Sequence, residues 1–260
     1  MNMNKGRLKA IAALSGALAL LGAVLFASAS ADTVRLGNLV ITIDGKISPK
    51  ALPKKEAAPI TLDLSGTLKS SDGSHPVALK TLDLEFDKNG HLNTKGLPTC
   101  SVGQLQSTLT AQAKAACGDA LVGEGKVTAE IAFPEQAPFN ASGPLLIFNG
   151  APKGSKQVLI FHVYAHVPAP TTFVTTALIS KQGGKYGTRA LVSIPTIVSG
   201  QGSLTSFKAT LSKTFTYKGT KQSLLTASCP TGSLYAHGTF GFADGSKASG
   251  DVVRGCTPKG

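Results

Sequence analysis

Apolar residues recur at every second position along much of this chain, and that period constrains its fold more than any other feature. Between positions 60 and 68, Ile60, Leu62, Leu64 and Leu68 alternate with Thr61, Asp63, Ser65 and Thr67. Leu82, Leu84 and Phe86 alternate in the same way with Asp83, Glu85 and Asp87. The pattern returns in Val127, Ala129, Ile131 and Phe133, and again in Phe207, Ala209, Leu211, Phe215 and Tyr217. Successive side chains of an extended chain point to opposite sides, so each run gives a strand with one apolar and one wet face. Parallel sheets, covered on both faces, read as continuous apolar runs, so these strands belong to antiparallel sheets. Asp72-Gly73, Asn89-Gly90, Gly183-Gly184 and Asp244-Gly245 are dipeptides that tolerate the positive φ of tight hairpin turns. About a dozen short strands joined by such turns predict an all-β fold, an antiparallel β-sandwich with a barrel as the alternative.

One segment departs from the period of two. Residues 101–117, SVGQLQSTLTAQAKAAC, carry Ala, Gln and Leu at helical spacing and open with Ser101 and Gln104 in capping-box positions. A straight helix here would hold Cys100 and Cys117 about 25 Å apart, against the roughly 4.4–6.8 Å of Cα separation that a disulfide tolerates. If the two bond, the helix must break. Ser107 to Thr110 is the expected place, with Thr110 capping a second short helix from Ala111. The prediction is one short helical insertion in a β fold.

The four cysteines are Cys100, Cys117, Cys229 and Cys256, an even number that points to disulfides in an oxidising compartment, although three connectivities are open. Zinc is disfavoured, because structural zinc sites draw on close Cys pairs and none exists here. The expected pairs are Cys100–Cys117, closing the helical insertion, and Cys229–Cys256, which flank a hairpin turning at Asp244-Gly245. An oxidising compartment agrees with the N-terminus. Lys5, Arg7 and Lys9 precede an apolar stretch from Ile11 to Phe26, which small residues close at Ala29, Ser30 and Ala31. That is the layout of a cleavable secretory signal over residues 1–31, too short and too interrupted for a membrane span. Residues 32–260 then read as a single β-rich disulfide-bridged domain, secreted or held in the cell envelope without a transmembrane anchor.

The phrases LPTC (97–100), CGDALVGEG (117–125) and SCPTGSLYAHGTFGFADGS with its following RGC (228–256) resemble a group of secreted actinobacterial proteins. GKYGT (184–188) and FTYKGT (215–220) are similar to that group as well. The resemblance implies a bacterial, exported, cysteine-bridged protein and brings no activity, cofactor or catalytic residue with it.

No arrangement of residues in the sequence commands a specific chemistry. His162 and His166 sit on a strand, where four residues span about 13 Å, too far to grip one zinc, and they read with Tyr164 as partly exposed face residues. Glu85, Asp87, Asn89 and Gly90 imitate part of a calcium loop, but Gly96 stands where its bidentate glutamate is needed, so an acidic strand entering an Asn-Gly hairpin is expected. There is no G-x-S-x-G nucleophile elbow, and His75, His91 and His237 remain as bases for a triad on some other fold. With no Trp and four Tyr the chain is poor in the platforms that stack on sugars.

Charge is the last signal. Residues 32–139 carry 11 Lys or Arg against 12 Asp or Glu, whereas residues 140–260 carry 12 against 2. Such a balance points to a polyanionic partner, and outside the cell an anionic wall polymer or lipid surface fits better than nucleic acid. Lys208 shares the parity of Ser206 and Thr210 and is expected to point outward. Lys218 and Lys221 follow in the next turn, and the three are candidate polyanion contacts. The sequence therefore favours an exported, non-catalytic envelope-associated or extracellular binding or structural module without a cofactor, with a secreted hydrolase and a calcium-dependent adhesin as the alternatives.

Overall fold

The computed structural model describes residues 32–260, and the expected signal at 1–31 lies outside the described residues. Twelve strands form one sheet. In chain order they are β1 (Asp32–Leu36), β2 (Leu39–Ser48), β3 (Thr61–Ser70), β4 (Leu79–Asp87), β5 (Leu121–Ile131) and β6 (Phe139–Lys153). There follow β7 (Lys156–Ala165), β8 (Thr171–Lys181), β9 (Tyr186–Ser193), β10 (Gly202–Leu211), β11 (Ser233–Phe242) and β12 (Lys247–Gly255). Their spatial order is β1-β2-β3-β10-β5-β6-β7-β8-β9-β4-β11-β12, every neighbouring pair antiparallel. The sheet curls until β12 lies against β1, so the antiparallel all-β prediction holds and the closure is nearly that of a barrel rather than of two separate layers.

No backbone ladder joins β1 to β12 among the described residues. The seam is closed by Arg254 near the end of β12. Its Nη1 donates to Asp32 Oδ2 at 3.0 Å, its Nη2 to Asp44 Oδ1 at 2.8 Å, and its Nε to the Gly45 carbonyl at 2.8 Å. One guanidinium therefore ties the last strand to the first two, with its side chain only 10% exposed. Burial alone would raise the Asp44 carboxyl, but the hydrogen bond and charge of Arg254, with help from Lys46 and the Gly45 amide, hold it below the usual carboxylate value. Gly250 lies against Val34 across the seam, where a Cβ would meet Val34 Cγ2 at 2.4 Å and that side chain would have to give way.

The helical insertion breaks where the disulfide requires. Helix α1 (Val102–Leu105) is capped by the reciprocal Ser101–Gln104 box, the chain reverses through Ser107 at φ +59°, and α2 (Thr110–Cys117) returns. The second helix starts one residue earlier than expected. Thr110 is its first residue and not its cap, and the Leu109 amide donates instead to Gln112 Oε1 at 2.9 Å. Cys100 and Cys117 bond across a Cα distance of 5.6 Å, and Cys229 and Cys256 across 6.1 Å, the latter closing the β11–β12 hairpin as predicted. The insertion lies on the outer wall, where Leu105 and Ala113 pack on Leu146, Phe148, Val158 and Ile160 of β6 and β7. A further correction concerns the run from Phe207 to Tyr217. It breaks at Ser212-Lys213, and Phe215 and Tyr217 belong to a separate small hairpin formed by Thr214–Tyr217 and Thr220–Ser223.

Under the insertion lies His162, fully buried and not partly exposed as its strand position predicted; His166, by contrast, is exposed with its ring edge-on to Tyr164. His162 Nε2 is 3.0 Å from the Thr108 carbonyl, an acceptor only, so Nε2 carries the proton and Nδ1 is left without a partner. Burial pushes this imidazole below its ordinary value, with the Thr108 carbonyl opposing.

Two outcomes follow from this architecture. Arg254→Ala leaves two carboxylates without their cation and should cost about 2–3 kcal/mol in urea unfolding, the low side for a buried pair because Asp32 stays 39% exposed. An unchanged midpoint would remove Arg254 from its role at the seam. His162 binds a proton less readily folded than unfolded, so its contribution is complete above about pH 6.5 and is lost as the pH falls below that value. Thermal midpoints should therefore drop between about pH 7.5 and pH 5, and drop less in His162→Gln, which keeps a donor for Thr108.

Candidate functional site

Alternation puts the apolar face of all twelve strands inside the curl. In a filled core those side chains would be out of reach of any solvent-sized sphere. Here Leu62, Leu64, Val127, Phe161, Val163 and Phe173 all point inward and all remain half-buried only. The reason is a cavity of about 370 Å³ running between the walls. A closed sheet of about eight strands is just filled by its own side chains, and twelve enclose more room than aliphatic side chains can occupy.

The two ends of this lumen differ. At one end a three-stranded sheet of Ala58–Pro59, Leu225–Ala227 and Gly90–Leu92 lies across it, and its central strand, Leu225–Ala227, lines the cavity. Behind this cap Leu52 and Ala227 pack around the Cys229–Cys256 bridge. At the other end the 166–170 and 194–201 loops form the rim. Val167 lines the cavity there and is also 48% exposed, which marks the place where the lumen meets solvent.

The lining is aliphatic and aromatic almost throughout. Its charged members, Asp44, Asp87 and Arg254, stand at the capped end; Asp44 and Arg254 are bonded to each other in the seam, and Asp87 accepts from Asn89 and from the Tyr235 amide. Thr175, a hydroxyl on the wall, donates to the Ser193 carbonyl. A guest in this space would thus meet hydrocarbon and almost no unpaired polar group, a chemistry that accepts an apolar molecule and penalises a polar one. The volume falls within the roughly 300–1,000 Å³ of small-molecule pockets. The sequence announced the apolar faces, but whether facing walls touch or stand apart depends on strand number and closure, which no local pattern encodes.

The residues considered for hydrolysis are brought together twice, both times on the outer wall. Glu130 Oε1, His75 Nδ1, His75 Nε2 and Ser203 Oγ form a chain with steps of 2.7 and 3.1 Å, the order of a triad. Ser203, however, is 1% exposed, and its hydroxyl donates to the Pro76 carbonyl. A serine has one proton, so the lone pair left over accepts from His75 instead of the reverse, and no base activates the oxygen. The group pins the 74–76 segment to β10 and β5. Asp251, His237 and Thr239 repeat the order at 2.9 and 3.4 Å across β11 and β12, where the His237 hydrogen bond holds the Asp251 carboxyl below its usual value. His91 is exposed at the edge of the cap.

The acidic hairpin has its oxygens committed. Asp87 is buried at the end of β4, its Oδ1 accepts from the Asn89 amide and side chain at 2.9 and 2.7 Å, and its Oδ2 accepts from the Tyr235 amide at 3.1 Å. Glu85 accepts from Gln182. The cysteines are bridges, and no cluster of three metal-ligating side chains occurs among the described residues.

Of the candidate polyanion contacts, Lys208 is exposed on the outer face of β10 directly across from Lys126 of β5, with Glu124 and Asp63 one step along the strands. Lys218 and Lys221 are exposed on the small hairpin that leaves the end of β10. The three are thus divided between a wall of mixed charge and one end of the barrel. Comparison with protein-family models, with curated proteins and with solved structures finds no match.

Removing the hydroxyl in Ser203→Ala should lower stability by about 1–3 kcal/mol, because Pro76 and His75 lose a buried partner. Any slow cleavage of p-nitrophenyl esters by the protein should be the same for both forms. A loss of ester cleavage with stability intact would instead make Ser203 a nucleophile.

Proposed function

We propose that this protein is an exported binding protein that carries an apolar molecule, such as an acyl or isoprenoid chain, inside its barrel. The lumen of about 370 Å³ supports this reading above all, since inward-facing aliphatic side chains stand around space that they do not fill. An empty apolar cavity is a cost, because its lining forgoes contacts that a well-packed interior would make. An apolar guest restores those contacts and needs no hydrogen-bonding partner. The protein's part is to shield hydrocarbon from water, and this requires neither a cofactor nor a catalytic group. Export is supported by the residues expected as a signal and by two disulfides, which persist in oxidising compartments.

Titration with cis-parinaric acid, whose fluorescence rises in an apolar setting, tests the reading. Saturable binding at one site per chain is expected. Val163→Trp and Val127→Trp, which each add bulk to the lumen from a different wall, should each weaken it by about tenfold or more, equivalent to about 1.4 kcal/mol. Non-saturable binding, or equal binding by both folded variants, would refute a site in the lumen.

A further inference from the structure

The charge asymmetry of the sequence, written in the structure, divides the barrel by its ends and not by its halves. The capped end is built from segments 49–60, 88–100, 118–120, 153–156, 181–185, 212–232 and 256–260. Together they carry thirteen lysines against two acids, Glu56 and Asp119, and five of those lysines come from the half of the chain whose net charge is near zero. At the opposite end the loops 37–38, 71–78, 132–138, 166–170, 194–201 and 243–246 contain no Lys or Arg and three acids, Asp72, Glu135 and Asp244. Hydrogen bonds from Ser74 and Asn38 hold the Asp72 carboxyl down to about 2, and Ser246 lowers Asp244 in the same way, so these two acids of the rim stay ionised in mildly acidic surroundings.

We infer that the capped end is a docking face for an anionic phospholipid bilayer. Four observations carry this. The lysines are spread around the whole end, with Lys153 and Lys156 on one hairpin, Lys181 and Lys185 on the next and Lys218 and Lys221 on a third, a broad face and not a stripe or groove that would follow a linear polymer. None of the thirteen is in a salt bridge among the described residues, and all but Lys213 are exposed, so their charge is available to a partner. No large apolar residue is exposed in these segments, so the contact is electrostatic and does not insert. The loops of the opposite end carry no Lys or Arg, so the cluster of basic loops lies at one end only, and this fixes orientation as well as attraction. The end thus exceeds the four to eight basic residues of an ordinary anionic-lipid-binding cluster.

Co-sedimentation of the protein, purified after expression of its full-length gene, with phosphatidylcholine vesicles with and without phosphatidylglycerol tests the face. Binding is expected only to vesicles with phosphatidylglycerol, and it should weaken steeply as salt rises past about 0.15 M. Reversing the four hairpin lysines at 153, 156, 181 and 185 to Glu should reduce partitioning by at least about a hundredfold. Reversing Lys126 and Lys208 on the wall should change it little. Binding that ignores headgroup charge, or that falls equally with the wall variant, would overturn the assignment. So would a preference for soluble polyphosphate over the vesicles, since that would make a linear polyanion the occupant.

Discussion

A twelve-stranded antiparallel sheet has two free edges, and what this protein does with them decides everything inside it. Arg254 brings the edges together. Its planar guanidinium presents several donors at fixed angles, which suits a junction where two carboxylates and a carbonyl arrive from different strands. Lysine at this position would offer three rotatable donors on one compact charge, without the rigid fork that meets two carboxylates and a carbonyl at fixed angles. A flat, open sheet of this size would expose both edges to pairing with other chains, and closure removes that hazard.

Closure also creates the hollow. The same alternation that makes each strand amphipathic supplies the lumen with hydrocarbon, and the number of strands sets its width. The two ends are finished by local devices: a three-stranded cap beside one disulfide at one end, and at the other loops bearing Val167, where the lumen meets solvent. The helical insertion contributes from outside. Leu146 and Phe148 on the outer face of β6 would be an apolar patch in water, and α1 and α2 cover it.

Much of this was legible in the residues. Period-two runs located β3, β4, β5 and β10, Asp244-Gly245 located the last hairpin, and the geometry of a disulfide forced the break in 101–117 to within a residue or two. These are local constraints, satisfied within about thirty positions. What stayed hidden depends on distant partners. The order of strands inserts β10 between β3 and β5, so the neighbours of Lys208 are Ser65 and Lys126, which no spacing reveals. His162 looked like a surface residue because strand parity identifies the outer face but not what is laid upon it. Ser203, His75 and Glu130 lie far apart along the chain and meet only through the packing of the 74–76 segment, and their hydrogen-bond directions, not their identities, separate a pin from a triad. The end-to-end charge division was hidden for the same reason, since lysines from both halves of the chain converge on one end.

The seam has a mechanical consequence. In a barrel closed by a complete ladder, circumference is fixed by hydrogen bonds, and any change of girth means breaking a row of them. Here the wall is a slit tube whose lips are held by side chains. Parting these lips would break the hydrogen bonds of Arg254 and leave every backbone ladder whole. The number of strands sets the bore, and the seam is the line along which that bore is held by side chains alone.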